Sequence, residues 1–560
     1  MRDPALILQA DSPDAVRRTL VDVEHLTRDR GLHAVGFLTY EAGAAFGLRV
    51  HHPSDGALPL AWFGLYPASN VIVTGQPAHS GEYTLGPLVP SVDARAFDAA
   101  IARIRAHLLD GDTYQVNYTF RMEGAFDGEA EALFADLVAR QQGQYSAYID
   151  LGHTAICSAS PELFFAIEGA DIVARPMKGT TARGLTNEDD HARAVALAAS
   201  EKNRAENVMV VDMVRNDLGR VADTGSVRVE DLCTVERYPN VWQMTSTVRG
   251  RSLAPLADIF EALHPSASIT GAPKVRTMEL LRELESSPRG VYTGAIGHVP
   301  PDGLACFNVA IRTAVVDRTR GQVTFGVGSG VVWDSVAEAE YEECLLKASV
   351  LGQRAEPFDL LETLLWTPTD GFVLLDRHLD RVMASAAYFG VPADRRTLED
   401  SLVAAVAEQS GARRVRLLVG PTGVPYVEYQ AHVPHPDVMR VGLAPFPVDA
   451  TDRFLFHKTT RRDVYSRARA AVPSVDEVLL WNARAEVTEA TTMNVVVEID
   501  GARWTPPVSC GLLPGTWRAR LLDESLVRKR VITVQDLDRA TGIWLVNSVH
   551  GERRVELVRH

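Results

Sequence analysis

The chain has 560 residues, 46% of them apolar and 23% charged, with a formal net charge of −15. That length exceeds one domain of roughly 100 to 200 residues, so at least two compact units are expected, with little room for long disorder. The negative balance argues against nucleic acid as the main partner, since phosphate binding needs a basic footprint, but a local cationic pocket for a small acidic substrate is compatible with it.

In chain order, residues 34–41 and 60–66 are short apolar runs between glycines and prolines and read as strands. A helix is expected over 98–109, where Ile101, Ile104 and Leu108 recur at helical spacing before Asp110-Gly111-Asp112. A strand follows over 113–119, in which Gln115 and Asn117 read as core polar groups that the sheet satisfies. The stretch Arg175-Pro176-Met177-Lys178-Gly179-Thr180 fixes φ at a proline, then offers an amine beside a glycine that lets backbone approach a ligand closely.

Residues 189–221 read as one or two helices, with apolar residues on nearly all sides and therefore burial on more than one side. Glu206, Asp212, Arg215 and Asp217 must then pair or bind something. Ser268 to Lys274 is a loop whose proline opens a helix through Leu284. Strands are expected at 292–297, 308–313 and 322–325, the last running into Gly326-Val327-Gly328-Ser329-Gly330. A dinucleotide reading of that cluster fails because Val331 stands where the third fingerprint glycine belongs. The helix 335–351 puts Glu340, Glu343 and Lys347 on one face, which suits either a cation site or an ordinary Glu343–Lys347 surface pair.

Eight stretches in fixed order resemble the chorismate-utilising enzymes, specifically the aminodeoxychorismate synthase component I family. They are Ser160-Pro161-Glu162, Pro176 to Thr180, Ala205-Glu206-Asn207, Arg215 to Gly219, Ile269 to Lys274, Arg289 to Tyr292, Ile311-Arg312-Thr313 and Glu340 to Glu343. The resemblance implies an α/β fold, a large unit of two packed sheets with flanking helices over 1–353. It implies Mg2+ on Glu206, Glu340 and Glu343, a hard cation with few carboxylates and several waters. Chorismate would be held by Tyr292, Arg312, Lys347, Thr180, Gly271 and the glycines near Gly328. Lys178 would be the nucleophile and Glu162 the acid that protonates the leaving 4-hydroxyl. Anthranilate synthase components resemble the chain but carry alanine where Lys178 stands. The lysine must be neutral to attack, so burial and a nearby metal are expected to depress its pKa.

None of the five cysteines, Cys157, Cys233, Cys306, Cys344 and Cys510, has glycine on both sides or forms a CxxC pair. Free thiols in a reducing compartment are expected, and ammonia from a separate glutamine amidotransferase subunit. The run Met1 to Leu8 carries an early acid and a proline and reads against a secretory signal. No run of about 18 apolar residues exists to span a bilayer, so no membrane partner and a cytoplasmic location are expected.

A polar linker is expected at 354–357. Beyond it, Asp376 to Val382, Phe456-His457-Lys458-Thr459, Glu486 to Asn494 and Leu513 to Arg518 resemble fold-type IV pyridoxal-phosphate (PLP) enzymes over 358–560. The resemblance implies Lys458 as the lysine that binds the cofactor covalently and Glu489 as the partner of its pyridine nitrogen. Arg381, Thr516 and Ser548 would hold the phosphate, and Thr363 would help position substrate. Aminodeoxychorismate lyase, branched-chain aminotransferase and D-amino acid aminotransferase all remain open, and Asn547 to Gly551 resembles the lyase. The fusion favours 4-aminobenzoate synthesis, with two other readings beside it. One is an aminodeoxychorismate or anthranilate synthase component I joined to an aminotransferase, the other a non-catalytic chorismate-binding regulator. Relatives of the second unit commonly dimerise, so a homodimer through it stays open.

Overall fold

The computed structural model describes residues 1–52, 58–74, 81–352, 357–434 and 438–558, so most of the expected linker lies outside the described residues. The chain divides into two compact units, Met1–Arg183 with Arg193–Ala355, and Gly184–Ala192 with Glu356–His560.

The first unit is built on two antiparallel sheets of ten and eight strands. In the larger, His33–Leu38 lies between Ala61–Tyr66 and Ala295–Val299, and Met177–Ala182 forms one edge against Val241–Arg251. In the smaller, Gln322–Val331 lies between Gln115–Gly128 and Thr313–Asp317. The period-two alternation of a strand splits its side chains between two layers. In Thr154–Ser160, Ala155, Cys157 and Ala159 face the cluster that holds Phe97 and Leu133, whereas Ile156 packs with Phe37, Trp62 and Ile296 of the other sheet. The sheets thus pack face to face, with helices on their outer faces. Pro13–Arg30, Glu201–Gly219 and Leu256–Leu263 cover the larger sheet, and Ala94–Leu109, Ala130–Gln141 and Ala337–Ala348 the smaller.

Several expectations shift. The helix expected from 98 begins at Ala94, because Asp93 caps it by accepting from the Ala96 amide at 2.8 Å. The region 189–221 forms two helices, Asn187–Ala199 and Glu201–Gly219. The second is buried along one stripe only, through Asn207, Val210, Val211, Val214 and Leu218, and Val208 faces outward. Its charges divide accordingly. Asp212 and Arg215 make an exposed pair at 2.8 Å, and buried Asp217 takes the Lys274 ammonium at 2.6 Å. The strand expected at 308–313 is two strands of different sheets, Ala305–Val309 and Thr313–Asp317. The chain crosses between them through Arg312 at φ +53°, a left-handed backbone outside the extended region of regular strands. Tyr292 likewise precedes its strand, which begins at Ala295.

The second unit has a four-stranded antiparallel sheet and an eight-stranded mixed sheet. In the strand Arg413–Val419, Val415, Leu417 and Val419 turn to a core shared with the helices Leu375–Phe389 and Arg395–Val406, leaving Arg414 and Arg416 on the opposite face. The mixed sheet buries Val495, Val497 and Ile499 of Asn494–Ile499 against Leu479 and Leu545.

Candidate active sites

In the first unit, Gly326, Gly328 and Gly330 alternate along Gln322–Val331 and so share one face, opposite Arg121, Thr119 and Asn117 of the neighbouring strand. A Cβ at 326 would overlap the Tyr292 ring, and a Cβ at 330 would overlap the Lys178 Nζ. Three missing side chains therefore make a trough with Tyr292 at one end and Lys178 at the other. Lys178 reaches it from the edge of the opposite sheet, whose strand is anchored where the Asn207 amide donates to the Lys178 carbonyl at 3.1 Å. Lys347 borders the trough, its ammonium donating to the Gly328 carbonyl at 2.9 Å, and Arg312 donates to the Lys347 carbonyl at 3.1 Å.

The other two expected substrate residues stand differently. Thr180 is exposed and donates its hydroxyl to Gln243 Oε1 at 2.7 Å. Gly271 has φ +150°, and a Cβ there would overlap the Gln115 carbonyl. Its strand Gly271–Ala272 pairs with Gln115 and Val116, so the glycine serves that close pairing.

The two proposed proton-handling groups are shifted in complementary directions. Burial pulls the Lys178 ammonium below its ordinary range, with Glu206 opposing and Lys347 assisting. Burial pushes the Glu162 carboxyl up to about 7, against the Ser268 hydroxyl, which donates to it at 2.6 Å, and against Lys178. The structure thus holds an amine eased toward its neutral form and a carboxyl eased toward its acid form.

The carboxylates expected for Mg2+ do not fit that ion as they stand. Glu206, Glu340 and Glu343 all act on Lys178 electrostatically, yet among the described residues no three acidic, histidine or cysteine side chains are grouped closely enough to hold a metal. Glu343 takes the Lys347 ammonium at 2.6 Å and Glu340 accepts from the Ser329 hydroxyl. Burial would raise the Glu343 carboxyl, but Lys347, Lys178 and Arg312 outweigh it and hold it below the ordinary range.

The second unit contains a cavity of about 500 Å³. Thr363, Arg381, Lys458, Glu489, Thr516 and Ser548 all line it. The Lys458 backbone is pinned by the Leu361 amide at 3.0 Å, and burial together with Arg381 and Arg462 brings its amine down to about 7. Glu489 is pushed up to about 7 by burial, although the Tyr465 hydroxyl donates to it at 2.8 Å and the Leu513 amide at 3.2 Å. Asn494 donates to the other Glu489 oxygen at 3.1 Å and fills the space that a side chain at Gly515 would need.

Arg381 is less free than expected. Its Nε and Nη2 bind the two Glu362 oxygens at 2.8 and 2.6 Å, and Nη1 donates to the Pro514 carbonyl at 3.2 Å. His378, one turn earlier on the same helix, donates from Nδ1 to Glu362 at 2.6 Å, which leaves Nε2 to accept from the Ser548 hydroxyl at 2.8 Å. Glu362 is accordingly held down to about 2: burial opposes this, and Arg381 and His378 prevail. Thr516 and Ser548 line the same cavity as Arg381, and at the N-terminus of Thr516–Asp523 peptide N–H groups are unpaired within the helix, an arrangement that favours an anion.

Ser268, Gln115, Glu362, His378, Tyr465 and Asn494 were not assigned roles from sequence. The i, i+3 spacing of His378 and Arg381 on an amphipathic helix is a usable signal for two of this network, whereas nothing local marks Tyr465.

The family model described as chorismate binding enzyme matches residues 3–353. The chain belongs to the chorismate binding enzyme family. A second model, amino-transferase class IV, matches residues 359–558, so a chorismate-binding unit is followed by an aminotransferase-like one. Aminodeoxychorismate synthase component 1 of Bacillus subtilis is 40% identical over 274 residues, covering 49% of this chain and 58% of the relative. Anthranilate synthase component 1 of Streptomyces coelicolor is 41% identical over 259 residues, covering 46% of this chain and 50% of the relative. The chain therefore spans little more than half the length of these relatives, and identity alone does not choose between the two activities. The crystal structure of anthranilate synthase component I from Streptococcus pneumoniae, 24% identical, covers 63% of this chain and 91% of its own at a TM-score of 0.55, a likeness of fold.

Proposed function

We propose that the chain makes 4-aminobenzoate in two reactions, the first unit (1–353) aminating chorismate and the second (358–560) removing pyruvate. The observation that carries this reading is the Lys178 amine, set into the glycine trough and acting through space on an acid whose pKa burial pushes up to about 7. That combination is what a nucleophile and a general acid at one carbon framework require. An alanine in place of the lysine, as in the anthranilate synthases it resembles, would leave ammonia as the only nucleophile.

Chorismate lies in the trough with its carboxylates toward Arg312 and Lys347 and its ring beside Lys178. The amine forms a bond to C2, the two ring double bonds each move by one position, and the C4–O bond breaks. Glu162 supplies the proton with which the hydroxyl leaves as water. Ammonia then forms the C4–N bond, the double bonds return, and Lys178 departs from C2. The sum is chorismate plus ammonia giving 4-amino-4-deoxychorismate and water, with no redox change. Ammonia comes from a separate glutamine amidotransferase subunit. Mg2+ on Glu206, Glu340 and Glu343 belongs to this reading, but it needs Glu343 released from Lys347, and no step is assigned to it.

The second cavity suits pyridoxal 5'-phosphate: a low-pKa lysine, an acidic partner for the ring nitrogen, and hydroxyls at a helix N-terminus for the phosphate. When bound, that cofactor supplies an electron sink which acidifies the carbon next to the substrate nitrogen. Lys458, near half-neutral at pH 7, takes the proton from ring C4. Glu489, steadied by Tyr465 and Asn494, would hold the pyridine nitrogen of the bound cofactor. Thr363 borders the place where the departing pyruvate separates from C3, and the ring becomes aromatic. We assign the chain to the cytoplasm, and among the described residues no helix is long and apolar enough to cross a membrane. A homodimer through the second unit is part of the same proposal.

The test is incubation of the purified chain with chorismate, Mg2+ and PLP, supplied with either ammonium or glutamine. 4-Aminobenzoate and pyruvate in equal amounts from ammonium, and neither from glutamine, is the expected result. Anthranilate from ammonium would replace this reading with the first alternative, and no turnover of chorismate would replace it with the regulator.

A further inference from the structure

The face of the smaller sheet that carries the glycine trough also carries Gln115, two positions before Asn117 on the strand next to Gln322–Val331. Gln115 is 3% exposed, and its Oε1 is buried without a hydrogen-bond partner. Its Nε2 stands 3.0 Å from the point where a Gly330 Cβ would be, the same point that the Lys178 Nζ overlaps. One niche, opened by one missing side chain, therefore holds the lysine amine and a buried amide whose oxygen is unsatisfied.

A buried carbonyl oxygen left unpaired is costly, and native interiors rarely keep one without a reason. The terminal torsion of glutamine is a broad two-fold well, so rotation of the amide brings Oε1 to the position of Nε2, facing the lysine. The charged groups acting on that lysine are Glu206 from one helix, Glu340, Glu343 and Lys347 from another, and Glu162 from beyond Ser160. Among the described residues none of them comes within hydrogen-bonding distance of Nζ, which leaves the N–H directions of a neutral amine unfixed by charge.

We infer that Gln115 is a positioning residue, whose side-chain oxygen accepts a hydrogen bond from the Lys178 amine and so aims the nitrogen lone pair at C2 of the substrate. The inference rests on Lys178 being the nucleophile. A neutral amine has two N–H groups and one lone pair, and holding one N–H confines the direction of the lone pair. Near-attack geometry is steep in rate, and a misplacement of about 1 Å is worth about 100-fold.

The test is product analysis of the full chain with chorismate and ammonium, comparing wild type with Gln115→Leu, Gln115→Glu and Lys178→Ala. In Gln115→Leu the rate of C4 amination should fall about 10- to 100-fold, with the chorismate KM within about twofold. The fraction of product aminated at C2 should rise, because a misdirected lysine leaves that carbon to ammonia. Gln115→Glu keeps an oxygen acceptor at the same reach but adds a charge that favours the ammonium form of Lys178, so C4 amination should fall at neutral pH and its optimum should move to higher pH. An unchanged rate and ratio in Gln115→Leu overturns the inference, and so does an equal loss of both products. If Gln115→Leu fails to fold, Gln115→Asn carries the comparison, because its oxygen falls one methylene short, and an unchanged ratio there overturns the inference as well. Lys178→Ala that still aminates C4 at the wild-type rate removes the nucleophile reading itself, whatever the Gln115 variants do.

Discussion

Lys178 and Gly330 come from different sheets and share one niche, such that any side chain at 330 would displace the lysine amine. Gly330→Ala should therefore move Nζ out of line with the substrate. The expected loss in chorismate amination is about 100-fold, since about 1 Å of misplacement is worth that much. Elimination of pyruvate from added 4-amino-4-deoxychorismate should be unchanged. Steady-state rates of the two half-reactions check this, and equal rates in wild type and variant would refute the niche.

The Glu162 carboxyl, pushed up to about 7 by burial against Ser268 and Lys178, must be protonated to act as an acid. Amination should accordingly be supported below about pH 7 and lost as pH rises through that value. The Ser268 hydroxyl stabilises the carboxylate, so Ser268→Ala should raise the Glu162 pKa further. The basic limb of the kcat profile should then move to higher pH, by up to about one unit. A limb that stays or moves to lower pH would contradict the assignment.

Glu285 accepts from the Thr119 amide at 2.9 Å and from Arg289 at 2.7 Å, in a pair whose side chains are 4% and 1% exposed. Breaking such a pair leaves an uncompensated buried charge, so Glu285→Ala should destabilise the first unit by roughly 3–5 kcal/mol. Arg289 also donates to the Ile269 and Asn117 carbonyls, which ties the loss to both flanks of the trough. Urea unfolding followed by first-unit tryptophan fluorescence would measure it.

In the second unit, Tyr465→Phe removes the hydroxyl that donates to Glu489 at 2.8 Å. That bond lowers the Glu489 pKa, so its loss should raise the pKa above about 7 and keep more of the carboxyl protonated at neutral pH. A neutral acid is a weaker partner for a protonated ring nitrogen, and the PLP Kd should rise roughly tenfold, the worth of one such hydrogen bond. Equilibrium titration of the apoprotein with PLP reads this directly.

Much of the architecture was legible because periodicity is local. The short apolar runs at 34–41 and 60–66, bounded by glycine and proline, and the helical spacing of Ile101 and Ile104 depend only on neighbours in sequence. The break at 308–313 was not legible, because its cause is a crossing between two sheets, and the apolar run Val309-Ala310-Ile311 leads straight into it. The breadth of burial on Glu201–Gly219 was overstated for a similar reason: Val208 and Val210 look alike in sequence, and only the neighbouring sheet decides which of them is covered. At the candidate sites, ordered motifs point to Lys178, Glu162, Lys458 and Glu489. Gln115, by contrast, reads as an ordinary core amide in sequence, since whether its oxygen finds a partner is settled across strands. The restraint of Arg381 by Glu362 was hidden in the same way, the two being 19 positions apart.

The most direct measurement is of the products that accumulate from chorismate and ammonium in the Lys178→Ala and Lys458→Ala chains. Two amines acting in turn predict that Lys458→Ala stops at 4-amino-4-deoxychorismate and that Lys178→Ala forms neither this compound nor 4-aminobenzoate. Formation of 4-aminobenzoate by either variant at the wild-type rate would contradict it.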